Sequence, residues 1–285
     1  MDLFILLNAH LHFTMRHKIT DDRTLYYRYV LNGKKEYDTY DIAHVFDGPF
    51  DLLTVYGLYC VKAEIKIQWI HFDVSKFNFS TKMCRKLYPK FDQINVVSNE
   101  AREQLIKKIP EIAEKTVTCP NVVSQEQCRK MAEMGDGFTD GFAGIRIVTV
   151  GRLSEEKGQD IIPEVAALLK KDGFNFRWYL VGDGKLRPTI ERKSKEYAVE
   201  ENIVFLGTQT NPYQFLKDAE LYVQTSKHEG FCITLAEAKA FNLPIVSTDC
   251  AGAHEQLDGQ KCCAVVQRST TELYNAIFVY LQRIG

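Results

Sequence analysis

The chain has 285 residues, 36 basic and 37 acidic side chains, a formal net charge of -1 and 45% hydrophobic residues. That length suffices for two domains of roughly 100–200 residues, each able to bury a core. With 26% charged residues it is not a disordered or fibrous chain, and its charge balance offers no global field for nucleic acid.

The opening MDLFILLNAHLHF holds an apolar run only from Leu3 to Leu7, far short of the ~20 residues of a membrane helix. No basic stretch precedes it and no small-residue cleavage site follows, so no signal peptide is expected. Arg16, Lys18, Arg23 and Arg28 would offer a basic contact to a membrane surface. Asp21 and Asp22 interrupt them, and a solvated surface is the expectation.

Further along, short apolar runs alternate with helical patterns. Residues 65–70 (IKIQWI), 94–97 (INVV), 145–150 (IRIVTV), 177–181 (RWYLV), 203–206 (IVFL), 221–224 (LYVQ) and 244–247 (PIVS) read as strands. Such near-continuous apolar runs suit strands buried on both faces. Helices are expected over 159–171, 186–197, 213–218, 234–241 and 271–283. Strands alternating with helices predict parallel α/β sheets. Residues 119–144 break the pattern and end in a glycine-rich stretch, which reads as a linker between two α/β halves.

The eight cysteines contain no C-x-x-C pair, and the only close pair is Cys262-Cys263. Zinc sites use paired ligands at short fixed spacing, so no structural zinc is expected. A reduced, cytoplasmic chain using cysteine as a small apolar residue is the simplest reading.

Ligands of such folds bind beyond the carboxyl ends of strands, and three loops there carry chemistry. After IRIVTV comes Gly151-Arg152-Leu153-Ser154-Glu155-Glu156-Lys157-Gly158. Two cations five residues apart could clamp a diphosphate; the alternative is a solvated turn balanced by Glu155 and Glu156. After RWYLV comes Gly182-Asp183-Gly184-Lys185-Leu186-Arg187, a partial dinucleotide fingerprint with Arg187 at its third glycine position. A tight turn needing glycine explains it equally well. After LYVQ comes Ser226-Lys227-His228-Glu229-Gly230-Phe231-Cys232-Ile233-Thr234-Leu235-Ala236-Glu237. Gly230 would allow close backbone approach, and a helix starting near Thr234 would present N–H groups to an anion. Glu229 would lie just before that helix and Glu237 inside it; at 100° per residue they would stand about 80° apart around its axis, which predicts two separate jobs rather than a carboxylate dyad.

Taken in order, GRLSEEKG, VGDGKLR and HEGFCITLAEA resemble the donor half of the GT4-type retaining glycosyltransferases (glycosyl transferases group 1), with the family's E-x7-E spacing at Glu229 and Glu237. STDCAGAHEQL, with Asp249, Gly252 and Glu255, extends the resemblance over about residues 145–268. More weakly, residues 38–123 are similar to the family's acceptor-side domain through YDTYDIAHVF, IQWIHFD and FDQINVVSNEARE.

The resemblance implies a GT-B α/β fold, two Rossmann-like domains with parallel sheets facing a cleft. The acceptor-side domain would cover 1–123, the linker 124–144 and the donor domain 145–285. It implies transfer of a hexose from a UDP- or GDP-sugar to a glycan or lipid-linked acceptor with retention, in surface polysaccharide synthesis. Arg152, Lys157, Thr234 and Leu235 would bind the donor diphosphate. Gly230, Phe231 and Cys232 would contact the donor sugar, and Glu237, Gly182 and Asp183 the nucleotide. Glu229 and His71 would stand at the reacting sugar, although a lone histidine after a strand is as often structural. No metal or other cofactor is expected, since the two cations and the helix would hold the leaving group. The setting would be cytoplasmic, with or without peripheral contact to the inner face of the membrane.

Two departures from the family pattern bear on activity. The usual opening glycine-rich loop and the usual C-terminal return helix are both missing, so both ends read as short. Two further readings follow, an inactive nucleotide-sugar binder and a GT-B-like nucleotide-sugar epimerase. A Rossmann dehydrogenase is disfavoured by Arg187.

Overall fold

The computed structural model describes residues 24–34, 38–48, 51–72, 74–75 and 79–284. The run 3–7 and the basic residues Arg16, Lys18 and Arg23 lie outside them. The chain divides into two compact units between Asn121 and Val122.

In the first unit, α1 (Thr24–Val30), β1 (Thr39–Gly48), α2 (Asp51–Tyr59), β2 (Lys62–Ile70), α3 (Thr81–Leu87), β3 (Gln93–Val96), α4 (Asn99–Lys108) and β4 (Thr116–Thr118) alternate. The strands form one parallel sheet in the order β1-β2-β3-β4. Val45, Ile70, Ile94 and Val96 turn one face of it into a core with Val55, Leu87 and Leu105 from the helices. Ser80 and Ser98 cap α3 and α4 through their hydroxyls, each satisfying a backbone N–H that the helix cannot.

The second unit opens on α5 (Gln125–Ala132). It continues through β5 (Ile145–Val150), α6 (Ile162–Lys171), β6 (Phe176–Val181), α7 (Arg187–Glu196), β7 (Ile203–Gly207), α8 (Tyr213–Lys217) and β8 (Leu221–Gln224). It closes with α9 (Ile233–Lys239), β9 (Ile245–Thr248), α10 (Ala253–Leu257), β10 (Cys263–Val266) and α11 (Thr270–Ile284). All six strands are parallel, in the order β10-β9-β8-β5-β6-β7. Alternate residues feed two cores. Ile147, Trp178, Leu180 and Val223 face one side, and Val148, Tyr179, Val181 and Tyr222 the other. Burial on both faces is why these strands read as continuous apolar runs.

Read from β7, the order is that of a dinucleotide-binding Rossmann sheet. It reverses between β5 and β8, and ligands of open α/β sheets bind beyond the carboxyl ends at such a reversal.

Residues 124–144, expected as a linker, are not free of structure. Ser124 caps α5 by accepting from the Gln127 N–H at 3.2 Å, and Cys128 and Ala132 are buried. Arg129 Nε donates to the Ala240 carbonyl at 2.6 Å, and the Asp140 carboxylate accepts from Arg177 and Tyr179 at 2.7 Å each. The apolar side of α5 is two small residues one turn apart, too narrow a stripe to stand out among polar neighbours.

Candidate functional site

The loops after β5 and β8 are stitched together at the sheet reversal. The Lys227 and His228 N–H groups donate to the Glu156 carbonyl at 2.8 and 3.3 Å, and Thr225 Oγ1 donates to the Lys157 carbonyl at 2.9 Å. Gly158 sits at φ 63°, where a Cβ would stand 2.6 Å from the Thr225 carbonyl oxygen. The Arg268 guanidinium joins both loops, donating to the Thr225 carbonyl at 3.2 Å and the Gly158 carbonyl at 3.0 Å.

This scaffold brings Lys157 to Glu229. Lys157 Nζ lies 2.6 Å from Glu229 Oε1, and the side chains are 24% and 11% exposed. Ser226 Oγ donates to the same oxygen at 2.6 Å and Gln224 Nε2 at 3.1 Å. Oε1 thus takes three donors, while no described residue donates to Oε2. An ammonium carries three N–H donors, so Lys157 keeps two beyond the one spent on Glu229. Beside them His228 Nδ1 is buried without a partner, and buried polar atoms are seldom left so.

Arg152 extends outward instead. Its side chain is 73% exposed and pairs with Glu156 at 3.2 Å, an exposed ion pair that holds a side chain only weakly. Burial acts to raise the Glu156 pKa, but the Ser154 hydroxyl, the backbone and the neighbouring cations outweigh it and lower it.

The β6 loop is closely built. Gly182, at φ 137°, lies against the β5 loop, where a Cβ would stand 2.1 Å from the Gly151 carbonyl oxygen. Its N–H donates to the Gly207 carbonyl at 2.8 Å. Asp183 accepts from the Gly184 N–H at 2.7 Å and pairs with Arg187 at 3.2 Å. Gly182 and Asp183, two of the three residues expected at the nucleotide, are therefore engaged in forming the turn.

In the β8–α9 loop the left-handed residue is Cys232, at φ 58°, and not Gly230. Its thiol lies 3.4 Å from that of Cys250, and this contact and burial push its pKa far up. Gln256 Nε2 donates to the Phe231 carbonyl, and Gly252 packs on the Phe231 backbone. The helix begins at Ile233, one residue before the expected start, and the Leu235 N–H donates to the Cys232 carbonyl at 2.9 Å. The Thr234 hydroxyl donates to Gln224 Oε1 at 2.8 Å.

Glu229 precedes the helix, as expected, by four residues, so the angle of 100° per residue does not describe its direction. Glu237, within the helix, accepts from Tyr213 OH at 2.8 Å; burial raises its pKa, partly offset by that hydrogen bond. The two glutamates share no partner.

His71 follows β2 in the first unit. Its ring stacks on Trp69 at 5.6 Å and Phe46 at 5.9 Å between centroids. Trp69 Nε1 in turn donates to His44 Nδ1 at 2.9 Å.

Gln224, Ser226, Tyr213 and Arg268 are site residues that sequence reading did not single out. Only Ser226, inside a loop already marked, carried a signal.

Comparison with known proteins bears on the family and the fold. Residues 144–277 match the family described as glycosyl transferases group 1. The chain is 28% identical over 175 residues to an uncharacterized glycosyltransferase of Methanocaldococcus jannaschii, covering 59% of this chain and 42% of that protein. It is 29% identical over 173 residues to the N-acetylgalactosamine-N,N'-diacetylbacillosaminyl-diphospho-undecaprenol 4-alpha-N-acetylgalactosaminyltransferase of Campylobacter jejuni, covering 61% of this chain and 46% of that one. The chain thus spans less than half the length of these relatives. The crystal structure of Anabaena HepE in complex with UDP superposes with a TM-score of 0.73 at 20% identity, covering 91% of this chain and 73% of that one. The fold is GT-B, built of two Rossmann-like α/β units. Among the described residues no helix is long and apolar enough to cross a membrane.

Proposed function

Because residues 144–277 belong to the glycosyl transferases group 1 family, we propose that the chain transfers a hexose from a UDP- or GDP-linked donor to a glycan or lipid-linked acceptor. Anomeric configuration is retained, and the setting is surface polysaccharide synthesis at the cytoplasmic side. The observation that carries this reading is the Lys157–Glu229 pair at 2.6 Å, placed at the reversal of a Rossmann sheet. The Campylobacter relative's name, with its diphospho-undecaprenol acceptor, supports a lipid-linked acceptor, and the UDP in the HepE complex supports a uridine donor.

The chemistry follows from charge. The bond from the sugar C1 to the phosphate oxygen breaks, leaving positive charge on the sugar and negative charge on the diphosphate. The two remaining Lys157 donors and the exposed Arg152 guanidinium receive the diphosphate. Glu229 Oε2, opposite the saturated Oε1, accepts from a donor-sugar hydroxyl. Glu237, kept in place by Tyr213, accepts from the ribose. The acceptor oxygen bonds C1 on the face the phosphate leaves, and its proton passes to the departing phosphate oxygen. The positive charge this requires comes from side chains, so no metal is needed.

The test is a panel of UDP- and GDP-hexoses with glycan and lipid-linked acceptors, followed by NMR of the product anomer. Transfer with the donor's configuration supports the reading. Binding without transfer to any acceptor would leave an inactive nucleotide-sugar binder, and a changed donor with no acceptor present would mean an epimerase.

A further inference from the structure

Gln224 closes β8 at the sheet reversal and is 3% exposed. An amide so buried is costly unless it is bonded. Its Nε2 donates to Glu229 Oε1 at 3.1 Å. Its Oε1 accepts from the Thr234 hydroxyl and from Tyr222 OH, both at 2.8 Å.

This pattern fixes the amide's direction. An ionised carboxylate can only accept, so the NH2 end must face Glu229. The oxygen end then needs donors, and finds two hydroxyls. Burial keeps Tyr222 protonated by raising its pKa, so its hydroxyl stays a donor. Reversing the amide would set its oxygen against the carboxylate, replacing the hydrogen bond to Glu229 by repulsion.

We infer that Gln224 is a positioning residue that orients the Glu229 carboxylate, tying it through one amide to Thr234 on α9. Lys157 and Ser226 hold the same Glu229 oxygen from other sides. With Oε1 fixed by three donors, the carboxylate cannot rotate, and Oε2 keeps one direction. Thr234 lies at the second residue of α9, so a shift of that helix start is transmitted to Glu229 through two hydrogen bonds. The inference rests on the proposal that Glu229 acts at the donor sugar.

Gln224→Leu removes both ends of the link at similar size. It should lower kcat by about 10- to 100-fold, the scale of a misplaced reacting group, with the donor KM nearly unchanged. Gln224→Glu keeps the shape but sets a carboxyl against Glu229. Protonated, it donates as the amide does; ionised, it repels. Its activity relative to wild type should therefore rise as pH is lowered, a response that a merely space-filling residue would not give. This second variant decides the matter if Gln224→Leu fails to fold. Adding Gln224→Leu to Glu229→Gln should cost nothing more than Glu229→Gln alone. Near-normal transfer by Glu229→Gln would remove the function assigned to Glu229. A disabled Glu229→Gln together with a normal Gln224→Leu, or a Gln224→Glu ratio independent of pH, would overturn the role of Gln224.

Discussion

Replacing Lys157 by Met should uncouple stability from catalysis in a way only a paired charge explains. Glu229 is 11% exposed and Lys157 24%, so the substitution leaves a nearly buried carboxylate without its cation. Breaking one side of a buried pair costs about 3–5 kcal/mol. Ser226 and Gln224 still donate to Oε1, and some water reaches the pair, so about 2–3 kcal/mol is expected for Lys157→Met. For a unit of this size that is a fall of about 4–12 °C in Tm. Adding Glu229→Gln removes the stranded charge and should restore most of the loss, a coupling of about 1.5–3 kcal/mol. Transfer should not return: either single variant and the double should all fall by at least ~100-fold. Urea unfolding followed by Trp178 emission reads the second unit alone if Trp69→Phe is the background, since the chain has two tryptophans. Simple addition of the two stability losses, or near-normal transfer in Lys157→Met, would refute the reasoning.

Other consequences are as direct. Gly182→Ala would set a Cβ 2.1 Å from the Gly151 carbonyl oxygen at φ 137°; it should cost more than about 2 kcal/mol and weaken nucleotide binding, read by melting with and without UDP. Asp140 is opposed by burial but held at about 2, below its ordinary 3.8, by Tyr179 and Arg177. Its stabilisation is complete above about pH 4 and lost as pH falls towards 2, so Asp140→Asn should flatten that part of an acid-unfolding curve. Of the eight cysteines, Cys262 is exposed while Cys232 and Cys250 are buried. A thiol reagent should label Cys262 first and reach the other two only on unfolding, as mass spectrometry of digests would show. Excess EDTA should leave the transfer rate unchanged.

Much of the second unit was legible because its central strands are buried on both faces and read as apolar runs. The loops after β5, β6 and β8 could be marked from residue type alone. Their junction could not. Lys157 and Glu229 are 72 residues apart, and only the strand order puts β5 beside β8. Gln224 read as one more strand residue, because a buried polar side chain is recognised by its partners and these come from Tyr222, Glu229 and Thr234. Gly230 was marked for close backbone approach, while the left-handed conformation of that loop falls on Cys232, whose buried thiol lies 3.4 Å from that of Cys250 and which residue type alone does not announce. In the first unit β1 was visible only through its likeness to a family pattern. Tyr40, Ile42 and Phe46 are exposed along it, so the burial that made β5 and β6 plain is lacking there.

The central claim is that Lys157 and its neighbours form a site for a nucleoside diphosphate group. Titration calorimetry of UDP and GDP against the wild-type chain and Lys157→Ala tests it most directly. One of the two nucleotides should bind the wild-type chain, and Lys157→Ala should weaken it by about 10-fold or more, the loss of at least one charge-assisted hydrogen bond. Equal affinity in both proteins, or no binding of either nucleotide to the folded wild-type chain, would contradict it.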